Sequence, residues 1–162
     1  ILDIRDNMID PPDAMRLCLV SLGLFQQVQT EDGLPMPKLI VLDEAHKYVQ
    51  EEFADEIVTV VNQMRHTATT VVIASQDPNS IPLHVLEKSS VVILHRLTSP
   101  HQISYLKKAV QGLSKVSEDA VAKLKKGEAV VWATESTDTH TAHSGIEVVI
   151  RPRFTRHVAD SS

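Results

Sequence analysis

Residues 39–42 form an unbroken apolar run, Leu39-Ile40-Val41-Leu42, that ends in two adjacent carboxylates, Asp43 and Glu44, followed by Ala45 and His46. A run this short, preceded by the Gly- and Pro-containing loop at 30–37, reads as a strand over 38–43 buried on both faces. Strands of that kind belong to parallel sheets covered by helices on both sides. They deliver their last residues to the C-terminal edge of the sheet, where open α/β folds bind their ligands. The run therefore predicts an α/β fold with two carboxylates at its working edge.

The rest of the chain alternates in the same manner. Asp10-Pro11-Pro12-Asp13 opens a helix with an N-cap residue and first-turn prolines, and its apolar stripe is read through Ala14, Leu17, Cys18, Leu22, Phe25 and Val28. A second helix is expected from about 53 to 64, on the stripe Phe53, Ile57, Val60, Val61 and Met64. Residues 69–75 and 90–94 are β-branched runs that read as further strands. Ser99-Pro100 starts a helix reaching about Val110, and Ser117-Glu118-Asp119 caps a shorter one that ends at Lys125-Lys126-Gly127. Two late strands, 129–134 and 146–151, are expected to pair antiparallel across the polar loop 135–144. A first short strand at 1–5 and a frayed tail beyond 154 complete the expected layout.

Composition sets the limits. With 162 residues, 43% hydrophobic and 23% charged, the chain has the makings of one ordinary globular domain. The formal net charge of −5 argues against a surface that grips nucleic acid everywhere, while leaving room for a local basic element. Lys107, Lys108, Lys115, Lys123, Lys125 and Lys126 could form such an element or could be solvated helix faces; their spacing does not place all six on one side. The single cysteine, Cys18, cannot make an internal disulfide and reads as a core thiol in a reducing, intracellular setting. No apolar run reaches the ~20 residues of a membrane-spanning helix. The chain starts without Met and leads straight into a strand-like segment, which suggests a piece of a longer protein.

The carboxylate pair carries the chemistry. Asp43 can hold Mg²⁺ through its water shell, because this hard ion takes oxygen ligands and keeps several waters. Glu44 can polarise an attacking water, so the two divide the work that nucleotide hydrolysis requires. We read them as a Walker B motif with its catalytic glutamate; the same Asp-Glu ending would also serve as a helix cap. The next strand ends at Ala74-Ser75-Gln76, which would place the Gln76 amide at the same edge, able to sense a terminal phosphate. His46 follows a carboxylate that already fills the water-activating role and reads as a packed or hydrogen-bonded side chain. His140 and His143 lie close in sequence, but without a third clustered ligand they read as solvated loop residues rather than a zinc site.

Asp43-Glu44-Ala45-His46 on its apolar strand, Arg65 before the next strand, and Ala74-Ser75-Gln76-Asp77-Pro78 together resemble the HerA/FtsK superfamily of ring-forming, DNA-pumping P-loop ATPases. Ile93-Leu94-His95-Arg96-Leu97, Leu124-Lys125-Lys126-Gly127-Glu128-Ala129 and Arg151-Pro152-Arg153-Phe154-Thr155 resemble later segments of that family, so the resemblance covers nearly the whole chain. It implies a partial RecA-like fold: a mostly parallel sheet flanked by helices, with the late antiparallel pair. Residues 1–154 would be the C-terminal part of one ATPase domain and 155–162 a tail. It implies ATP and Mg²⁺ as ligands of the complete domain, self-association into a ring such as a hexamer, and DNA as partner. Asp43 would be the metal carboxylate, Glu44 the base and Gln76 the sensor. Arg65 and Arg96 would be candidates for an arginine that reaches a neighbour's γ-phosphate, or else a solvated helix end and a salt-bridge partner.

One part of the family pattern is missing. The chain has no Gly-x-x-x-x-Gly-Lys-Ser/Thr, and its glycines at 23, 33, 112, 127 and 145 are too scattered to cradle phosphates. By itself the chain should bind ATP poorly. The cradle belongs to a missing upstream part, or the chain is a non-catalytic assembly module. A DEAH-box helicase, which shares the four letters at 43–46, is a further alternative, although those enzymes carry Ser-Ala-Thr where Ala74-Ser75-Gln76 stands here.

Overall fold

The computed structural model describes residues 10–47 and 54–152. They fall into two compact units that divide between Lys88 and Ser89. The first strand read at 1–5, Phe53 of the second helix, and the tail lie outside the described residues.

The first unit contains α1 (Pro11–Gln26), β1 (Lys38–Leu42), α2 (Ala54–Asn62), β2 (Thr69–Ile73) and the short α3 (Leu83–Leu86). All five residues of β2 are β-branched, a composition that suits a pleated, half-buried surface. β1 and β2 run parallel, with Lys38 opposite Thr69 and Leu42 opposite Ile73. Parallel neighbours need a crossover, and α2 lies within it. The core gathers Met15, Cys18 and Leu22 of α1, Ile40 and Leu42 of β1, and Ile57 of α2. Burial in this core raises the Cys18 thiol pKa above its ordinary value.

Two expectations of packing are corrected here. β1 is buried on alternate residues only: Leu39 and Val41 are 61% and 56% exposed, and Val72 of β2 is 44% exposed. A doubly covered parallel strand needs helices on both sides. Among the described residues, one face of this pair is covered. On α1 the buried line is Ala14, Met15, Cys18, Leu22 and Gln26, whereas Leu17 and Phe25 of the predicted stripe are 44% and 48% exposed. The helix is apolar on more than one side, so periodicity alone could not choose the inward face.

Lys38 is the unexpected member of this core. It is only 8% exposed, and its Nζ donates to the carbonyls of Gln26, Val28 and Thr67 at 2.9, 3.0 and 3.0 Å. An ammonium has three N–H donors, and all three are satisfied. The bonds tie the end of α1 and the loop after it to the start of both strands. Gln26 adds a bond from its own amide to the Val60 carbonyl of α2 at 3.1 Å.

The second unit contains β3 (Val91–Leu94), α4 (Pro100–Ala109), α5 (Glu118–Lys123), β4 (Glu128–Ala133), α6 (Thr139–His143) and β5 (Ile146–Val149). The predicted late antiparallel pair, β4 with β5, is present, and β3 joins it as a third antiparallel strand. Ser117 caps α5 by accepting from the Ala120 amide at 3.4 Å. The loop read at 135–144 contains α6, whose Asp138 cap accepts from the amide and hydroxyl of Thr141 at 2.8 and 2.7 Å. Those bonds hold the Asp138 carboxyl below its usual pKa. Trp132 of β4 donates its indole N–H to the Ala142 carbonyl at 2.9 Å and packs on Gly112. A Cβ at Gly112 would fall 1.8 Å from the indole nitrogen, so the contact requires glycine.

The Lys38 bonds yield a stability prediction. Lys38→Met preserves the aliphatic stem but removes three charge-assisted bonds, among them the buried one to the Gln26 carbonyl, and should destabilise the protein by about 2 kcal/mol. Urea unfolding checks this; a midpoint unchanged from wild type would show that the ammonium is not a structural tie.

Candidate active site at the end of the parallel strands

β1 ends at Leu42, and the backbone pairing does not stop there. Ala74 N donates to Leu42 O and Ala45 N donates to Ala74 O, each at 2.9 Å. Ala45 is fully buried, which anchors the turn that follows the strand. These bonds carry the strand register past both strand ends and hold residues 43–46 against residues 74–77.

Within that frame Asp43 is exposed and Glu44 half-buried. One oxygen of Asp43 accepts from the Glu44 amide at 3.0 Å. Glu44 has a backbone φ of +53°, in the left-handed region, a conformation that costs a residue with a side chain on the order of 1 kcal/mol. The turn directs its carboxylate toward β2: Gln76 Nε2 donates to Glu44 Oε1 at 2.7 Å. His46 Nε2 lies 3.4 Å from Glu44 Oε2, and its Nδ1 lies 3.4 Å from Ser75 Oγ. Ser75 in turn donates to the Asp77 carbonyl at 2.9 Å and accepts from the Asp77 amide at 3.2 Å.

The expected residues therefore divide. Asp43, Glu44 and Gln76 sit at the same end of the same two strands. Arg65 is exposed in the turn between α2 and β2, at the opposite end of the strands. A five-residue strand spans on the order of 16 Å, so Arg65 does not reach Glu44 of its own chain. Arg96 is exposed just beyond β3 in the second unit, a strand of which only Leu94 is buried. His46, read from the sequence as a packed or hydrogen-bonded side chain, lies within reach of both Glu44 and Ser75. Its signal was available in part, since a residue two positions beyond Glu44 in a tight turn returns to the same edge.

An oxygen-only site at Asp43 suits a hard divalent ion held through water. Among the described residues, no group of three or more His, Cys, Asp or Glu side chains is arranged to bind a metal directly. Of the six lysines considered for nucleic acid, Lys107 pairs with Glu118 at 3.5 Å and Lys123 with Asp119 at 2.6 Å. Those two already have carboxylate partners on the chain. No helix among the described residues is long and apolar enough to cross a membrane.

Comparison with solved structures defines the class of fold. The chain superposes on the genome packaging NTPase B204 of Sulfolobus turreted icosahedral virus 2 in complex with AMPPCP with a TM-score of 0.58, at 10% identity, over 88% of this chain and 62% of that one. The AMP complex of the same protein gives 0.56 at 12% identity, over 92% and 64%. This is the α/β fold of a P-loop NTPase, with a parallel pair packed against helices and a separate antiparallel trio. In sequence, the chain is 26% identical over 116 residues to the DNA double-strand break repair helicase HerA of Pyrococcus furiosus, covering 66% of this chain and 21% of that protein. The resemblance to the HerA/FtsK superfamily is thereby borne out as a similarity to HerA and to the fold of a packaging NTPase. The chain spans about a fifth of the length of HerA. No family model matches it.

If the ladder beyond the strands fixes the site, the Ala45 and Ala74 amides should exchange with solvent as slowly as those inside β1 and β2. Amide hydrogen exchange measures this. Fast exchange at both would mean that Glu44 and Gln76 meet only transiently.

Proposed function

We propose that this chain is the Walker-B-bearing part of an ATP-hydrolysing DNA translocase or helicase-like motor of the HerA/FtsK type. Residues 1–154 would be the C-terminal part of one RecA-like domain and 155–162 its tail. The observation that carries the reading is the 2.7 Å bond from Gln76 to Glu44 at the common end of two parallel strands, in a chain similar to HerA. A glutamate in a strained turn, oriented by an amide from the next strand, has the arrangement expected of a base that positions water. Backbone strain at such a point is more often functional than accidental.

In this reading Glu44 accepts a hydrogen bond from the water that attacks the γ-phosphate, holding it in line. Asp43, exposed beside it, would hold Mg²⁺ through water. The ion, when bound, offsets charge on the phosphate oxygens. Gln76 exchanges its bond to Glu44 for one to the terminal phosphate, which makes it a reporter of nucleotide state. The β- and γ-phosphates need a cradle of backbone N–H groups and a lysine, which the longer protein would supply.

Arg65 and Arg96 are the candidates for contact with a neighbouring subunit. The distance of Arg65 from its own chain's Glu44 is compatible with service across a subunit boundary in a ring, such as a hexamer. DNA as the partner draws support from HerA, named as a DNA repair helicase, and from B204, named as a genome packaging NTPase.

The test is ATP hydrolysis by the intact parent protein, with and without DNA, beside its Glu44→Gln variant. The expected result is DNA-stimulated hydrolysis that falls by about a thousandfold in the variant, with ATP affinity nearly unchanged. Turnover by Glu44→Gln at the wild-type rate would overturn the assignment. Silence of the wild-type protein under both conditions would favour a non-catalytic assembly module.

A further inference from the structure

Glu44 is held at both oxygens, and the two holders differ. Gln76 takes Oε1 at 2.7 Å, whereas His46 faces Oε2 at 3.4 Å. Resting on the reading of Glu44 as the base, we propose that His46 is a positioning residue that holds the Glu44 carboxylate when Gln76 leaves it for the terminal phosphate.

A carboxylate only accepts, so the His46 nitrogen facing it, Nε2, is the one that donates. The other nitrogen, Nδ1, faces Ser75 Oγ at 3.4 Å. Ser75 is itself fixed by two bonds to the backbone of Asp77, at 2.9 and 3.2 Å. Ser75 gives its one hydroxyl hydrogen to the Asp77 carbonyl, so its oxygen packs beside Nδ1 rather than bonding it, and His46 spans from the end of β1 to this braced hydroxyl beyond β2. Both His46 contacts are long. Catalytic hydrogen bonds commonly are before substrate binds and tighten afterwards.

The need for a second holder follows from the chemistry assigned to Gln76. One amide nitrogen in close contact with a carboxylate cannot serve a phosphate oxygen in another direction equally well. When it turns, Glu44 would keep a single turn of left-handed backbone and no partner from Gln76. His46, which has no proposed duty toward the nucleotide, supplies a contact to the carboxylate that does not depend on Gln76. Its neighbour Ala45 is fully buried and bonded to Ala74, so the backbone that carries the imidazole is rigid.

Loss of a positioning contact should slow the chemical step and leave nucleotide affinity alone. The experiment compares four substitutions in the intact parent protein: Glu44→Gln, His46→Ala, His46→Gln and His46→Asn. A glutamine can place its amide N–H where Nε2 stands, and an asparagine only where Nδ1 stands. The expected result is a kcat lowered roughly ten- to a hundredfold by His46→Ala and by His46→Asn, with KM for ATP and thermal midpoint near wild type. His46→Gln should recover most of the rate. If Glu44→Gln is inactive but His46→Ala turns over normally, or Gln and Asn behave alike, the positioning role fails and Glu44 keeps its own. If Glu44→Gln remains active, the base assignment fails and the role of His46 falls with it.

Discussion

The pairing of β1 with β2 is the constraint on which the rest of the site depends. A parallel pair has no tight turn to set its register, so the alignment rests on side-chain burial and on contacts at its two ends. Here the entrance is tied by Lys38, whose ammonium bonds three carbonyls, and the exit by the bonds among Leu42, Ala74 and Ala45. A slip of one residue would reverse the faces of Ile40 and Leu42 and separate Glu44 from Gln76. The Lys38 bonds at one end and the Gln76–Glu44 bond at the other are therefore properties of the same ladder.

Local strain and local order are combined at the exit. Glu44 adopts a left-handed backbone between a fully buried alanine and the end of a strand. That placement frees its carboxylate to point across to β2 instead of along β1. Gln76, which receives it, and Ser75, which faces His46, stand in the loop after β2, where Asp77 and Pro78 begin a short turn. The Asp77 side chain accepts from the Asn79 amide and its backbone engages Ser75, so the receiving loop is braced as well.

Much of this was legible in the sequence. β1, β2, α4, α5 and the β4–β5 pair follow from apolar runs and cap residues, and Asp43, Glu44 and Gln76 from their places at strand ends. What was hidden depends on partners distant in the chain. Lys38 reads as an ordinary polar residue at a strand start until three carbonyls converge on it. The inward face of α1 could not be chosen because Leu17, Leu19, Val20, Leu24 and Phe25 make the helix apolar on several sides. β1 reads as doubly buried because its residues are all suited to that environment, yet Leu39 and Val41 stand on an open face. His46 belongs to the cluster through a contact with Ser75, 29 positions away.

The central claim is that nucleotide binds at the C-terminal edge of β1 and β2, with Glu44 directed at the attacked phosphate. The most direct measurement is an experimental structure of the intact parent protein with a non-hydrolysable ATP analogue and Mg²⁺. The expected result is a Glu44 carboxylate one water away from the γ-phosphate, with Asp43 on the metal's water shell and Gln76 turned toward the phosphate. A nucleotide bound elsewhere, with the Gln76–Glu44 bond intact, would contradict it.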